Sequence, residues 1–171
     1  MNPLKKLLNT ILFFSIFLLR LDAQEGSPFI SHLDLGNFHD RQIFDIEHDK
    51  DHVMYFATRR GIYTSDSEKR TLIKLPGIPL SLKLEPESGI IYTGCRNDIG
   101  YIQKKANGLH YYYSFLSGAI FPDEYYMISQ DSLNVYFAGE NSLYRFRKNN
   151  PEEYFHYKPD SSANFAGLKL W

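Results

Sequence analysis

Three copies of one strand–turn–strand pattern, a heavy load of aromatic residues and no helical periodicity beyond residue 23 predict an all-β chain. The predicted architecture is a partial β-propeller: about three four-stranded antiparallel blades behind an N-terminal signal helix. Of 171 residues, 13 are Tyr and 13 are Phe. Flat rings pack well on a pleated sheet, so this composition favours strands and argues against disorder.

The first element is an address rather than part of the fold. Lys5 and Lys6 precede the apolar run LLNTILFFSIFLL, which ends at Arg20. A helix of that length rises about 20 Å, short of the hydrocarbon core of about 30 Å. Two lysines followed by a short apolar run have the build of a signal peptide. Ala23 is a small residue suited to the cleavage site, although Leu21, two residues earlier, is bulky for its place. Residues 1–23 are therefore expected to be removed on export; an uncleaved membrane anchor is the alternative. Export implies a periplasmic or extracellular location, with membrane tethering left to regions beyond this chain. Residues 24–41 are expected to be a lead-in segment, either the tail of a last blade or an added strand.

The repeats are VMYFATRRGIYTSD at 53–66, IIYTGCRNDIGYIQKK at 90–105 and NVYFAGENSLYRFRKN at 134–149. Their anchoring tyrosines, Tyr55, Tyr92 and Tyr136, stand 37 and 44 residues apart, close to the period of about 40–50 expected of propeller blades. The first blade, about 42–76, is read as strands 42–48, 52–58, 61–64 and 71–75. The second, about 80–117, has strands 80–84, 90–94, 99–103 and 110–115. The third, about 124–160, has strands 125–129, 134–138, 142–147 and 153–157. Residues 161–171 look like the start of a truncated further blade.

The intervening residues suit tight turns: Asp49, Asp51, Ser67, Asn97, Asp98, Asn107, Gly108 and Asn141. Ala57, Gly94, Ala138 and Gly139 follow the anchoring tyrosines. Small side chains there are expected to let neighbouring sheets approach. Three blades fall short of the roughly 4–8 that close a ring. The open flanks are expected to be met by the remaining blades of a longer chain or by self-association.

Charge and cysteine exclude several classes. The net charge is −1, from 19 basic and 20 acidic residues that are well mixed. That balance supplies no groove for nucleic acid. The lone Cys95 cannot form an internal disulfide or a cysteine-based metal site. With no positioned base beside it, it reads as a buried packing residue rather than a nucleophile.

Other polar groups are weighed the same way. His48-Asp49-Lys50-Asp51-His52 is the densest cluster. Two His and two Asp suit a metal, but Lys50 interrupts them at a hairpin, where Asp serves the backbone. Arg59 and Arg60 lie in a turn and could face an anionic ligand at a propeller mouth. Asn97 and Asp98 occupy the matching turn of the second blade. These four are the ligand-binding candidates, set against plain solvated turns. In His110-Tyr111-Tyr112-Tyr113, alternation puts Tyr111 and Tyr113 on one face and Tyr112 on the other. An aromatic platform could take a sugar; packing between blades is the competing use. No phosphate loop, cofactor motif or metal site is expected.

The stretches VMYFATRRGIY at 53–63, YTGCRNDIGYI at 92–102 and YFAGENSLYRF at 136–146 resemble the blade signature of the two-component regulator propeller family. That signature runs strand, Ala/Gly-Thr, turn, Gly-Ile/Leu, aromatic. Ser142-Leu143 departs from it, standing where the family favours Gly-Leu. The resemblance covers about 42–160 and implies the N-terminal propeller of an exported sensor. Such sensors often continue into a triple-tyrosine domain, a membrane span and a cytoplasmic output, none of which is in this sequence. It implies a ligand-sensing or interaction module, with a small molecule or glycan as ligand and no catalysis on this segment. The alternatives are part of a secreted propeller enzyme acting on carbohydrate, or a structural or adhesion propeller. An enzyme would need inner-strand carboxylates, for which Asp45, Glu47 and Glu124 are the only offers.

Overall fold

The computed structural model describes residues 42–66, 69–116 and 122–158, with Pro3 and Lys5 near the start. The chain divides into units Met1–Asn37 and Phe38–Trp171, and every strand among the described residues lies in the second. The signal segment (Pro3 and Lys5 apart), residues 24–41, Ser67 and residues 161–171 fall outside the described residues.

Among the described residues twelve strands form three four-stranded antiparallel meanders, the blades of a partial β-propeller. Blade 1 holds β1 (Ile43–His48), β2 (Met54–Thr58), β3 (Gly61–Ser65) and β4 (Arg70–Ile73). Blade 2 holds β5 (Pro79–Leu84), β6 (Ile91–Cys95), β7 (Asp98–Lys104) and β8 (His110–Ser114). Blade 3 holds β9 (Met127–Gln130), β10 (Asn134–Ala138), β11 (Leu143–Arg147) and β12 (Asn150–Tyr157).

Two strands start two residues later than the sequence suggests, each beside a local feature. His52 takes a left-handed φ of 61° to close the β1–β2 turn, so β2 begins at Met54. Tyr125 precedes β9 because its N–H donates to Cys95 O at 3.2 Å, tying it to blade 2 instead of β10.

Two cores lie between the blades. Val53, Tyr55, Ala57 and Ile62 of blade 1 meet Leu82, Ile91 and Ile102 of blade 2. Tyr92 and Ile99 of blade 2 meet Tyr125, Val135, Phe137, Tyr144 and Phe146 of blade 3. Ile91 and Tyr92 are adjacent and serve opposite cores, as strand alternation requires. All five residues of β6 are consequently buried, whereas all eight of the outer strand β12 are exposed.

The first strands bring successive blades together. Leu82 N donates to Asp45 Oδ2 at 2.7 Å, and Gln130 Nε2 donates to Leu84 O at 2.7 Å. At Gly94 a Cβ would stand 2.4 Å from Tyr125 O, so the small residue there does allow close approach.

Candidate functional site

A four-stranded meander reverses three times, so its first and third turns share one end and its second turn lies at the other. The β1–β2, β5–β6 and β7–β8 turns thus gather at one end of blades 1 and 2. Between them opens a cleft of about 390 Å³. Blade 1 lines it with His48, Asp49, Lys50, Asp51 and Tyr55; blade 2 adds Ser88, Gln103 and Lys104 over Leu84 and Pro86.

Asp49 builds the near wall. Its Oδ1 accepts from Asp51 N at 2.9 Å and Val53 N at 3.0 Å. Its Oδ2 accepts from the Tyr55 hydroxyl at 2.9 Å. Asp49 is therefore a buried organiser of the turn, while Lys50, Asp51 and His52 stay exposed. Among the described residues no group of three or more His, Cys, Asp or Glu side chains is placed to hold a metal ion.

His110, the first residue of β8, stands 3.1 Å from the Tyr55 hydroxyl and edge-on to its ring. Burial pushes its pKa down, Lys104 adds to that, and Asp49 opposes it. Burial, reinforced by Asp49, pushes the Tyr55 phenol well up. Both rings are thus uncharged near neutrality. The Asp and Lys side chains that line the cleft are Asp49, Lys50, Asp51 and Lys104, of which Asp49 is turned to the backbone and Tyr55.

The four residues singled out from sequence lie elsewhere. Arg59 and Arg60 are exposed in the β2–β3 turn, the far end of β2 from the cleft, about 16 Å away by strand rise. Asn97 sits in the matching β6–β7 turn with a φ of 64° and donates its N–H to Asp123 O at 2.8 Å. Asp98 is buried at the start of β7. It accepts from the Tyr112 hydroxyl at 2.9 Å and the Ser114 hydroxyl at 2.7 Å. The structure brings none of the four to the cleft.

Gln103, Lys104, Ser88 and Gly89 had no motif to mark them. The signal available was strand parity, which puts 48–51, 85–89 and 104–110 at one end. The aromatic run divides as alternation requires. Tyr112 joins the core with blade 1, Tyr113 stacks on Tyr101 at 5.0 Å, and Tyr111 is exposed. Cys95 is fully buried, and burial followed by the Asp98 charge pushes its thiol pKa up. Ser142, the departure from the repeat signature, donates its hydroxyl to Asp123. Asp123 also accepts Glu140 N at 2.9 Å and Asn141 N at 3.1 Å, which locks the β10–β11 turn.

No protein-family profile and no curated protein sequence matches the chain. Solved structures do resemble it. One is described as the extracellular domain of a hybrid two component system from B. thetaiotaomicron, with TM-score 0.54 and 15% identity over 72% of this chain and 17% of that one. A second structure of that same extracellular domain, described there as part of a one component system, gives TM-score 0.56 at 13% identity, over 75% and 17%. A third is virginiamycin B lyase from Staphylococcus aureus, with TM-score 0.51 and 15% identity over 70% and 42%. At these identities the likeness concerns the fold, which is that of a β-propeller. The chain spans 17% of the length of that extracellular domain in both structures.

Proposed function

We propose that this chain is a ligand-sensing or interaction segment of an exported propeller, part of a sensor of the two-component type. It lies in the periplasm or outside the cell and catalyses no reaction itself. The cleft between blades 1 and 2 is the observation that carries the binding reading. Lys50 and Lys104 offer donors, Asp51 an acceptor and Gln103 both, over the apolar floor of Leu84 and Pro86. A small polar molecule with several hydroxyl or amide groups, a short glycan among them, matches that lining. The fold shared with the extracellular domain of a hybrid two component system supports the sensor context.

The competing enzyme reading has less to draw on. Asp45 accepts Leu82 N, and Glu47 accepts Leu84 N at 3.3 Å, so both inner-strand carboxylates brace the blade 1–blade 2 junction. Glu124 is paired to Arg96 at 2.7 Å.

Calorimetric titration with a panel of free amino acids, monosaccharides and short oligosaccharides tests this function. At least one member is expected to bind saturably, and Gln103→Ala with Lys104→Ala is expected to weaken it about tenfold or more. A panel without a binder, affinity untouched by those changes, or conversion of the bound compound would each sink the proposal.

A further inference from the structure

One clasp occurs at both blade junctions. In blade 1, Asp49 of the first turn accepts from the Tyr55 hydroxyl at 2.9 Å. The next blade reaches back with His110, the first residue of its outer strand, at 3.1 Å from that hydroxyl. In blade 2, Glu85 of the first turn accepts from the Tyr92 hydroxyl at 3.4 Å. The next blade reaches back with Lys148 from its third turn, whose Nζ is 2.6 Å from Glu85 Oε1. Both clasps comprise an acid on the first turn, a tyrosine on the second strand, and a basic side chain from the following blade's outer hairpin.

Blade 3 builds the first two parts. Asp131 of its first turn accepts from the Tyr136 hydroxyl at 2.8 Å. Leu133 N and Asn134 N also donate to Asp131, each at 2.7 Å. Val135 and Phe137 face blade 2, so the intervening Tyr136 faces the other way. Among the described residues no Lys, Arg or His nitrogen lies within ion-pair distance of Asp131. The same sheet face leaves Phe155 52% and Tyr157 47% exposed.

We infer that this face of blade 3 is an interface for a further four-stranded blade whose outer hairpin carries a lysine, arginine or histidine. That blade packs on blade 3 as blade 3 packs on blade 2, and its basic side chain seats on Asp131 and Tyr136. Continuity with the two existing junctions gives the geometry, and the Asp131 carboxylate gives the charge of the partner. A second copy of the chain would bring Lys69 and Arg70 of blade 1 to the same place. However, the face of blade 1 that would have to dock is already buried at Phe56, 4% exposed, and at Thr58. A distinct further blade is the better fit. The interface depends on the repeat and not on ligand binding, so the two fail separately.

The test places the photo-cross-linking residue p-benzoylphenylalanine at position 155, in the protein as made by its own cells. After irradiation, mass spectrometry maps the joined peptide. The expected product is a strand–turn–strand peptide with a basic residue at or beside its turn. Asp131→Lys is expected to lower the yield about tenfold, equivalent to about 1.4 kcal/mol. Tyr136→Phe leaves the Asp131 turn intact and is expected to lower the yield to a smaller extent. A product containing residues 66–75 would establish a second copy as the partner and overturn the inference. So would the absence of product, a joined peptide of any other kind, or yields indifferent to both changes.

Discussion

Tyr55 of blade 1 and His110 of blade 2 meet at 3.1 Å, oxygen to Nε2, across the first blade junction. Tyr55 has one hydroxyl proton and gives it to Asp49 Oδ2 at 2.9 Å. Its oxygen can then only accept from the ring, so His110 carries its proton on Nε2. A carboxylate, a phenol and an imidazole thus form a directed chain from the turn of one blade to the outer strand of the next.

That chain makes the junction sensitive to pH. Burial holds the His110 pKa below its ordinary value of about 6.5. The unfolded chain then takes up a proton at a higher pH than the folded one. The contribution to stability is complete above about pH 6.5 and declines as pH falls from there toward the lowered folded value. Urea midpoints measured from pH 8 to pH 5 should fall for the parent and fall less for His110→Gln. Equal pH slopes in the two proteins would refute the assignment.

Glu85 and Lys148 clasp the second junction, with side chains only 14% and 12% exposed. Burial tends to raise the Glu85 pKa, but the Lys148 ammonium, helped by Ser88 and Tyr92, outweighs it and leaves the carboxyl below its usual range. Breaking the pair from one side strands a charge. Glu85→Gln or Lys148→Met alone should therefore cost about 1–2 kcal/mol, between an exposed ion pair and a fully buried one. The double variant should cost clearly less than the sum of the two. Chemical denaturation of all four proteins supplies the cycle, and additive single effects would contradict the coupling.

The blades were legible because two periods coincide. Strand alternation and the spacing of Tyr55, Tyr92 and Tyr136 both follow from backbone geometry, which any stretch of sequence carries locally. Asp98 was not legible in the same way. It has the composition of a turn residue, yet Tyr112 and Ser114, more than a dozen residues later, make it a buried acceptor. The cleft was hidden for a similar reason: Asp49 and Lys104 belong to different blades, and only the packing of one on the other joins them. Local chemistry marks turns well, but which turns share a cleft is a property of the assembled sheets.

Cys95 offers a direct reading of how closely blade 2 is packed. It is fully buried in β6, and burial followed by the Asp98 charge raises its thiol pKa well above the usual value. The thiolate is the reactive form, so burial and the raised pKa both slow alkylation. At pH 8 the folded protein should react with a maleimide far more slowly than the urea-unfolded chain. Comparable rates would mean that β6 is open to solvent.

Gly94 tests the junction between blades 2 and 3 at a point of close approach. An added Cβ would stand 2.4 Å from Tyr125 O, 2.5 Å from Ser81 Oγ and 3.1 Å from the Tyr125 Cβ. Ser81 could turn away only by giving up its bond to Tyr125 O at 3.0 Å. Turning the carbonyl away would break that same bond from Ser81. Gly94→Ala must therefore push the start of blade 3 outward and loosen the core around Tyr125, Tyr144 and Phe137. Overpacking of this kind costs about 1–3 kcal/mol. The loss should appear in the denaturation midpoint and as faster amide exchange in β9 and β10, with β2 and β3 unaffected. An alanine variant as stable as the parent would show that the two blades are not in contact at Gly94.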